Sequence, residues 1–206
     1  MNDSFRRLPD EKKRRIRDAA LEEFAQRGFD GASTNRIVAA AGISKGSLFK
    51  YFSSKDELYI YLADETMAEI IPIMKSRIAA LPSDIAERIG LMSEAIIDIY
   101  VANPRYYRFF MGMLDAGARH IQMEIMKRHG EALGFMDLFS GVDDRRFRLP
   151  AESVFLLIKW LFAGIKQELF ELTSVQNDPG LLKQGFMERL DTVLDLMEHG
   201  IYRSEA

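Results

Sequence analysis

The alanine run Ala39-Ala40-Ala41 passes straight into Gly42-Ile43-Ser44. Alanine is the best helix former, glycine the commonest residue just past a helix end, and serine a preferred helix N-cap. Six residues therefore specify a helix that stops, turns and restarts with almost no loop. Ser33 is placed to cap a short helix from Thr34 to Ala41, and Ser44 a second one reaching Tyr51. The alanines let the two axes approach closely, and Ile37, Ile43, Leu48 and Phe52 can share a small core with Ile16 and Phe24 of a preceding helix. Two short helices held at a tight turn form a helix-turn-helix, whose second helix can enter the major groove of DNA.

The same punctuation continues along the chain. Apolar residues recur at helical spacing, and no stretch alternates with period two for long enough to demand a strand. Pro9-Asp10 opens the first helix, on which Ile16, Ala20 and Phe24 share a face. Gly28 is expected to end it in the left-handed conformation, with Phe29 folding back on Phe24. Ser54-Lys55-Asp56-Glu57 has the capping-box pattern and opens a long helix that ends before Pro82. Ser83 or Asp84, Asn103-Pro104, Pro150 and Asp178-Pro179 mark further helix starts, and another helix is expected from about Ala118 to Phe139. The expected fold is all-α with about nine helices. The expected division is a DNA-binding domain over residues 1–55 and a helical body over 56–206.

Composition narrows the functional classes. The 206 residues include no cysteine, which removes disulfides, thiolate metal sites and cysteine nucleophiles. His120, His129 and His199 offer no i,i+4 zinc pair, so neither a metal nor a cofactor is expected. No apolar run reaches the ~20 residues of a membrane span, and no apolar signal region follows the charged start. A cytoplasmic protein with no membrane partner is expected. Gly42-Ile43-Ser44-Lys45-Gly46 fits the G-x-S-x-G of hydrolases, but an alanine-rich helix stands where that motif needs a strand. Ser47-Leu48-Phe49-Lys50 fits S-x-x-K without its companion motifs. A helical enzyme with a fortuitous helix-turn-helix pattern is therefore the weaker alternative, and no catalytic residue is assigned.

Charge is unevenly spread. Residues 1–55 carry twelve lysines and arginines against seven acids, a net of +5, whereas residues 56–206 carry a net of −8. A basic head on an acidic body suits a polyanion as the partner of the head. The second short helix would present Lys45, Gly46, Ser47, Phe49, Lys50 and Tyr51, a set with cations for phosphates and a hydroxyl for base edges or backbone. Arg6-Arg7 and Lys12-Lys13-Arg14-Arg15 could add phosphate contacts as an arm and first helix turn, or could be a solvated face beside Asp10 and Glu11.

Over residues 10–60, about a quarter of the chain, these features fall in a specific order. A helix ends in Gly28-Phe29; then come Thr34-x-x-Ile37, Ala41-Gly42-Ile43-Ser44-Lys45-Gly46-Ser47-Leu48, Tyr51-Phe52 and Ser54-Lys55-Asp56-Glu57-Leu58. This run resembles the DNA-binding domain of the tetracycline-repressor-like (TetR) family of bacterial regulators. The resemblance implies that Thr34 and Arg36 anchor phosphates, that Lys45, Ser47 and Lys50 face the groove, and that Ser44 and Phe49 belong to the same DNA-binding set. It implies close backbone approach at Gly46 and phosphate contacts from Tyr51 and Lys55. Phe49 stands where the family often has tyrosine, and Lys50 where it often has histidine or another aromatic.

For the body, the resemblance implies a homodimer that binds a palindromic double-stranded operator and releases it when a small molecule tilts the long helix. A cavity for a mostly apolar effector would be walled by Met67, Ile71, Met74, Phe109, Phe110, Met113, Phe135, Phe155 and Trp160. The last two helices carry apolar residues on more than one face, a surplus that asks for a partner. Phe162, Ile165, Leu169, Phe186, Leu190, Val193, Leu194 and Met197 are expected at a four-helix dimer interface. The alternative within the DNA-binding class is a helical scaffold with a filled core and no effector.

Overall fold

The computed structural model describes residues 3–114, 119–130, 139–175 and 178–201. Their regular structure is helical: α1 (Asp3–Arg6), α2 (Asp10–Gly31), α3 (Thr34–Ala41), α4 (Lys45–Tyr51), α5 (Lys55–Ile78), α6 (Ile85–Ala102), α7 (Pro104–Leu114), α8 (Arg119–His129), α9 (Ala151–Val175) and α10 (Pro179–Ile201). A 3₁₀ turn lies at Asp144–Arg146. The all-α expectation holds. The helix beyond the expected nine is α1, four residues too short to show a period. Among the described residues no helix is long and apolar enough to cross a membrane.

The local signals act where they were read. Ser44 Oγ accepts from the Ser47 N–H at 3.1 Å, and Ser54 Oγ from the Glu57 N–H at 3.1 Å. Asp84 Oδ1 accepts from the N–H groups of Ala86 and Glu87 at 2.9 and 3.1 Å, and Asp178 Oδ1 from that of Gly180 at 2.8 Å. Each bond satisfies a donor that the first helical turn leaves without a partner. Glu57 reaches back one residue further than a capping box requires, to the Ser53 N–H at 2.6 Å and hydroxyl at 2.7 Å.

Two glycines shape the head. Gly42 stops α3 at φ 64°, ψ 41°, where a residue with a side chain would cost about 1–2 kcal/mol. The Ile43 N–H then closes on Val38 O at 3.0 Å, which turns the chain directly into α4. Gly28 breaks α2 at φ 64° but with ψ −178°, a region open essentially to glycine alone and not the left-handed helical one expected. The chain completes another turn to Gly31 before α3. Phe29 does fold back on Phe24, with ring centroids 6.3 Å apart and planes 4° from parallel.

Packing divides the chain into two compact units, Met1–Ile71 with Asn103–Leu133, and Pro72–Ala102 with Gly134–Ala206. The first passes into the second inside α5, at the proline whose missing N–H interrupts the helix ladder. In the first unit α2 packs on α3 and α7, around a core that includes Ile16, Phe24, Ile37, Leu48, Phe52 and Tyr59. In the second, α6 packs on α10, and a Cβ at Gly90 would stand 3.3 Å from Leu194 Cδ1. Arg88, only 4% exposed, bonds Pro82 O and Ser140 O, the latter at 2.6 Å, and ties the loop before α9 to the start of α6.

Candidate nucleic-acid interface

The face expected to meet DNA is built outward from the core. Leu48, 1% exposed, anchors α4 against Ile37 and Ala41 of α3, themselves at 0% and 1%. With one side of a seven-residue helix buried, Ser44, Lys45, Gly46, Phe49 and Lys50 are left exposed and Ser47 half-buried. Ser44 Oγ and Ser47 Oγ lie 2.9 Å apart, so the two hydroxyls that could meet a base edge also hold each other. Phe49, 41% exposed, presents an aromatic ring to solvent beside Lys50. Thr34, the first residue of α3, is half-buried.

Three residues assigned to phosphates by resemblance have other work inside the protein. Tyr51 is 7% exposed and meets the Phe5 ring edge-on at 5.9 Å, so it is chiefly a core residue. Arg36 places Nε 2.8 Å and Nη2 2.6 Å from Glu23 Oε1, and Nη2 also donates to Gly31 O at 2.8 Å. Lys55 Nζ donates to Phe29 O at 2.7 Å and to Ala32 O at 3.4 Å, and stands 4.3 Å from the centre of the Phe29 ring. Both cations are recruited by carbonyls at the end of α2 and in the turn to α3, where helix carbonyls lack a partner and a charged donor satisfies them.

The residue that sequence reading missed is Glu23. It lies beside the apolar stripe of α2, is 9% exposed, and accepts from the Ser33 N–H at 2.9 Å as well as from Arg36. Arg27, one turn along, approaches to 3.5 Å. The signal was an acid next to Phe24 with Arg27 at i+4, but its main partners lie ten and thirteen residues away. Ser33 caps α3 without a side-chain bond because its backbone is held by this carboxylate instead.

The hydrogen bond from Arg36 holds the Glu23 carboxyl below its ordinary pKa, against the opposing effect of burial and with help from the Ser33 N–H. A depressed carboxylate stabilises the fold fully above its unfolded pKa, about 4.3, and loses that contribution as pH falls through the folded value. Glu23→Gln is therefore expected to lose about 1–2 kcal/mol at pH 7, moderated by the exposure of Arg36. Urea unfolding of both proteins from pH 7 down to pH 3 should show the gap closing below pH 4. A gap that stays constant would mean that shape, and not charge, matters at this position.

The residues expected around an effector lie in several different environments within the protomer. Met67, Phe109 and Met113 are at most 1% exposed and belong to the core of the first unit, with Phe109 4.8 Å from Tyr59 and 6.3 Å from Phe24. They are packing residues, because the stripes of α5 and α7 turn toward the head. Ile71 and Phe110 are half-buried against the same core. In the second unit Met74 is half-buried, and the half-buried Phe155 lies 4.4 Å from Phe139 and 6.3 Å from Phe147. Trp160 is 62% exposed in the protomer. Phe135 lies outside the described residues.

The residues expected at a dimer interface differ in their burial within one protomer. Ile165, Phe186 and Leu190 are 9%, 2% and 2% exposed and are already buried in the protomer, while Leu194 seats on Gly90. Val193 and Met197 are half-buried, and the side chains of Phe162 and Leu169 lie outside those described. Among the described side chains of α9 and α10, the large exposed apolar ones are Leu156, Leu157, Trp160, Leu181 and Leu196.

Comparison with known proteins gives a consistent set of likenesses. Residues 16–62 match the family described as bacterial regulatory proteins, tetR family. The chain is 32% identical over 116 residues to the HTH-type transcriptional regulator RutR of Escherichia coli, covering 55% of this chain and 53% of that protein. It thus spans about half the length of that curated relative. It is 28% identical over 203 residues to the HTH-type transcriptional repressor Rv1474c of Mycobacterium tuberculosis, covering 94% of each. A solved TetR family transcriptional regulator from Chloroflexus aurantiacus superposes with a TM-score of 0.74 at 27% identity, covering 98% of both chains.

Proposed function

We propose that this chain, which belongs to the TetR family of bacterial transcriptional regulators and not to a family of enzymes, is a homodimeric, cytoplasmic repressor that reads a palindromic operator and leaves it when a small, mostly apolar molecule binds. Residues 1–55 act as the DNA-binding head and 56–206 carry effector binding and dimerisation. The observation that carries the reading is the turn at Gly42. It fixes α4 on a closed core with Ser44, Lys45, Gly46, Phe49 and Lys50 exposed. Ser47 and the start of α3 at Thr34 complete the contact surface.

The two-fold partner is proposed to cover Leu156, Leu157 and Trp160. These recur at helical spacing on α9 with exposed Ala163 and Gly164 one turn on, where a second backbone can approach closely. Apolar contacts to an effector are open to the half-buried Ile71 and Phe110. A ligand that prefers the DNA-free form by about 1–3 kcal/mol weakens operator binding ~5–150-fold. The close packing of Met67, Phe109 and Met113 favours a second reading, a DNA-binding scaffold with no effector.

The test is selection of duplexes from a random pool by the full chain. The expected product is a palindrome with half-sites about 34–36 Å apart, or a multiple of that distance. Lys45→Ala/Lys50→Ala should abolish the enrichment. A library of small apolar compounds should contain some that raise the thermal midpoint and release the selected duplex. Failure to enrich any sequence would overturn the proposal; enrichment with no releasing compound would leave the scaffold reading in its place.

A further inference from the structure

The basic residues before Pro9 are held in place by one side chain. Phe5 is 1% exposed, and its ring lies 4.8 Å from Phe52, 5.3 Å from Tyr61 and 5.9 Å from Tyr51. A four-residue helix has no stability of its own in water, so this burial is what keeps α1 folded. The Arg7 N–H bonds Asp3 O at 3.2 Å and the Leu8 N–H bonds Phe5 O at 3.0 Å, closing the turn. Tyr51 ends the recognition helix and Phe52 caps it. Arg6 and Arg7, both exposed, are therefore fixed beside the C-terminal end of α4 and do not trail from the surface.

Charge on the reading face gives the arm a task. Arg36 is engaged by Glu23 and Lys55 by the carbonyls of Phe29 and Ala32, while Lys45 and Lys50 lie exposed on α4. Duplex DNA presents a dense line of phosphates, and most of its affinity for a protein comes from neutralising them. Arg6 has only a 3.8 Å contact to Asp3, with side chains 67% and 78% exposed, a pairing weak enough to exchange for a phosphate. Among the described residues Arg7 has no ion pair.

We propose that α1 is a second DNA contact, in which Arg6 and Arg7 bind backbone phosphates flanking the base pairs read by α4. Phe5 is the positioning residue that holds the two guanidinium groups there. The inference rests on the DNA-binding reading above, and its test separates the two.

The probe is a fluorescein-labelled mixed-sequence duplex of about 30 base pairs, long enough for two half-sites one turn apart, with binding by the full chain followed by anisotropy between 50 and 200 mM salt. Each lost phosphate contact lowers the steepness of the fall of log K with log salt by about 0.9. Arg6→Ala/Arg7→Ala removes two contacts from each head, so it should lower it by about 1.8 for a single bound head and about 3.6 for the dimer on two half-sites, with the thermal midpoint unchanged because both side chains are exposed. Arg6→Lys/Arg7→Lys should keep the wild-type slope, since a phosphate accepts either charge. An unchanged slope in the alanine variant, while Lys45→Ala/Lys50→Ala lowers it, would overturn the arm contact alone. A lysine variant that loses the slope would also overturn it, because the contact would then need more than charge. If the wild type shows no salt-dependent binding, the DNA-binding reading falls first.

Discussion

Trp160→Glu is expected to turn a dimer into a monomer and to weaken operator binding by about a hundred- to ten-thousandfold. Trp160 is 62% exposed in the protomer, on the same stripe of α9 as Leu156 and Leu157, exposed at 46% and 43%. A two-fold axis through this stripe would bury each tryptophan against its counterpart's neighbours, and a glutamate there would bury an unpaired carboxylate twice. The protomer should keep its thermal midpoint at low concentration, because little of the ring is buried within it. Operator affinity should fall because one head no longer supplies the effective concentration of the other. Sedimentation velocity reads the mass, and titration of the selected duplex reads the affinity. A dimer that persists in Trp160→Glu would move the interface off α9. Leu194→Glu is the informative contrast. Leu194 rests on Gly90 of its own chain, so that variant should unfold the second unit before it tells anything about association.

Phe109→Ala should destabilise the protein by about 3–5 kcal/mol, a large share of the whole stability of an ordinary domain. The ring is 1% exposed and lies between Tyr59 at 4.8 Å and Phe24 at 6.3 Å, so α7 is joined through it to both α5 and α2. Truncation leaves a void that close-packed neighbours fill only in part. Urea unfolding measures the loss directly. If Phe109 instead lined an open ligand cavity, its removal would cost well under 2 kcal/mol, and the effect would appear in ligand affinity. The head would feel the true loss most, since Phe24 and Tyr59 also support Phe29, at 6.3 and 5.2 Å, and through it the cation of Lys55.

The sequence by itself determined what depends on near neighbours. The caps at Ser44, Ser54, Asp84 and Asp178, the stop at Gly42 and the fold-back of Phe29 on Phe24 each involve groups within a few residues of one another. Such signals are local in the chain because helix ends leave their unpaired groups within one turn. The all-α class and the helix-turn-helix follow from them, and the order of those signals carried the family.

Tertiary structure decided which of two equivalent-looking partners each side chain would take. Arg36 and Lys55 read as free cations, yet a carboxylate thirteen residues back and carbonyls twenty-three to twenty-six residues back claim them. Phe5, beside Arg6 and Arg7 in the sequence, is the buried anchor of α1. Helices with apolar residues on more than one side can bury any of them, so periodicity alone could not say that Phe186 and Leu190 point inward while Trp160 and Leu196 point out. For α10 that choice belongs to its packing on α6, where Gly90 lets Leu194 come close. Rotation of a helix is set by the surface it meets, and that surface is distant in sequence.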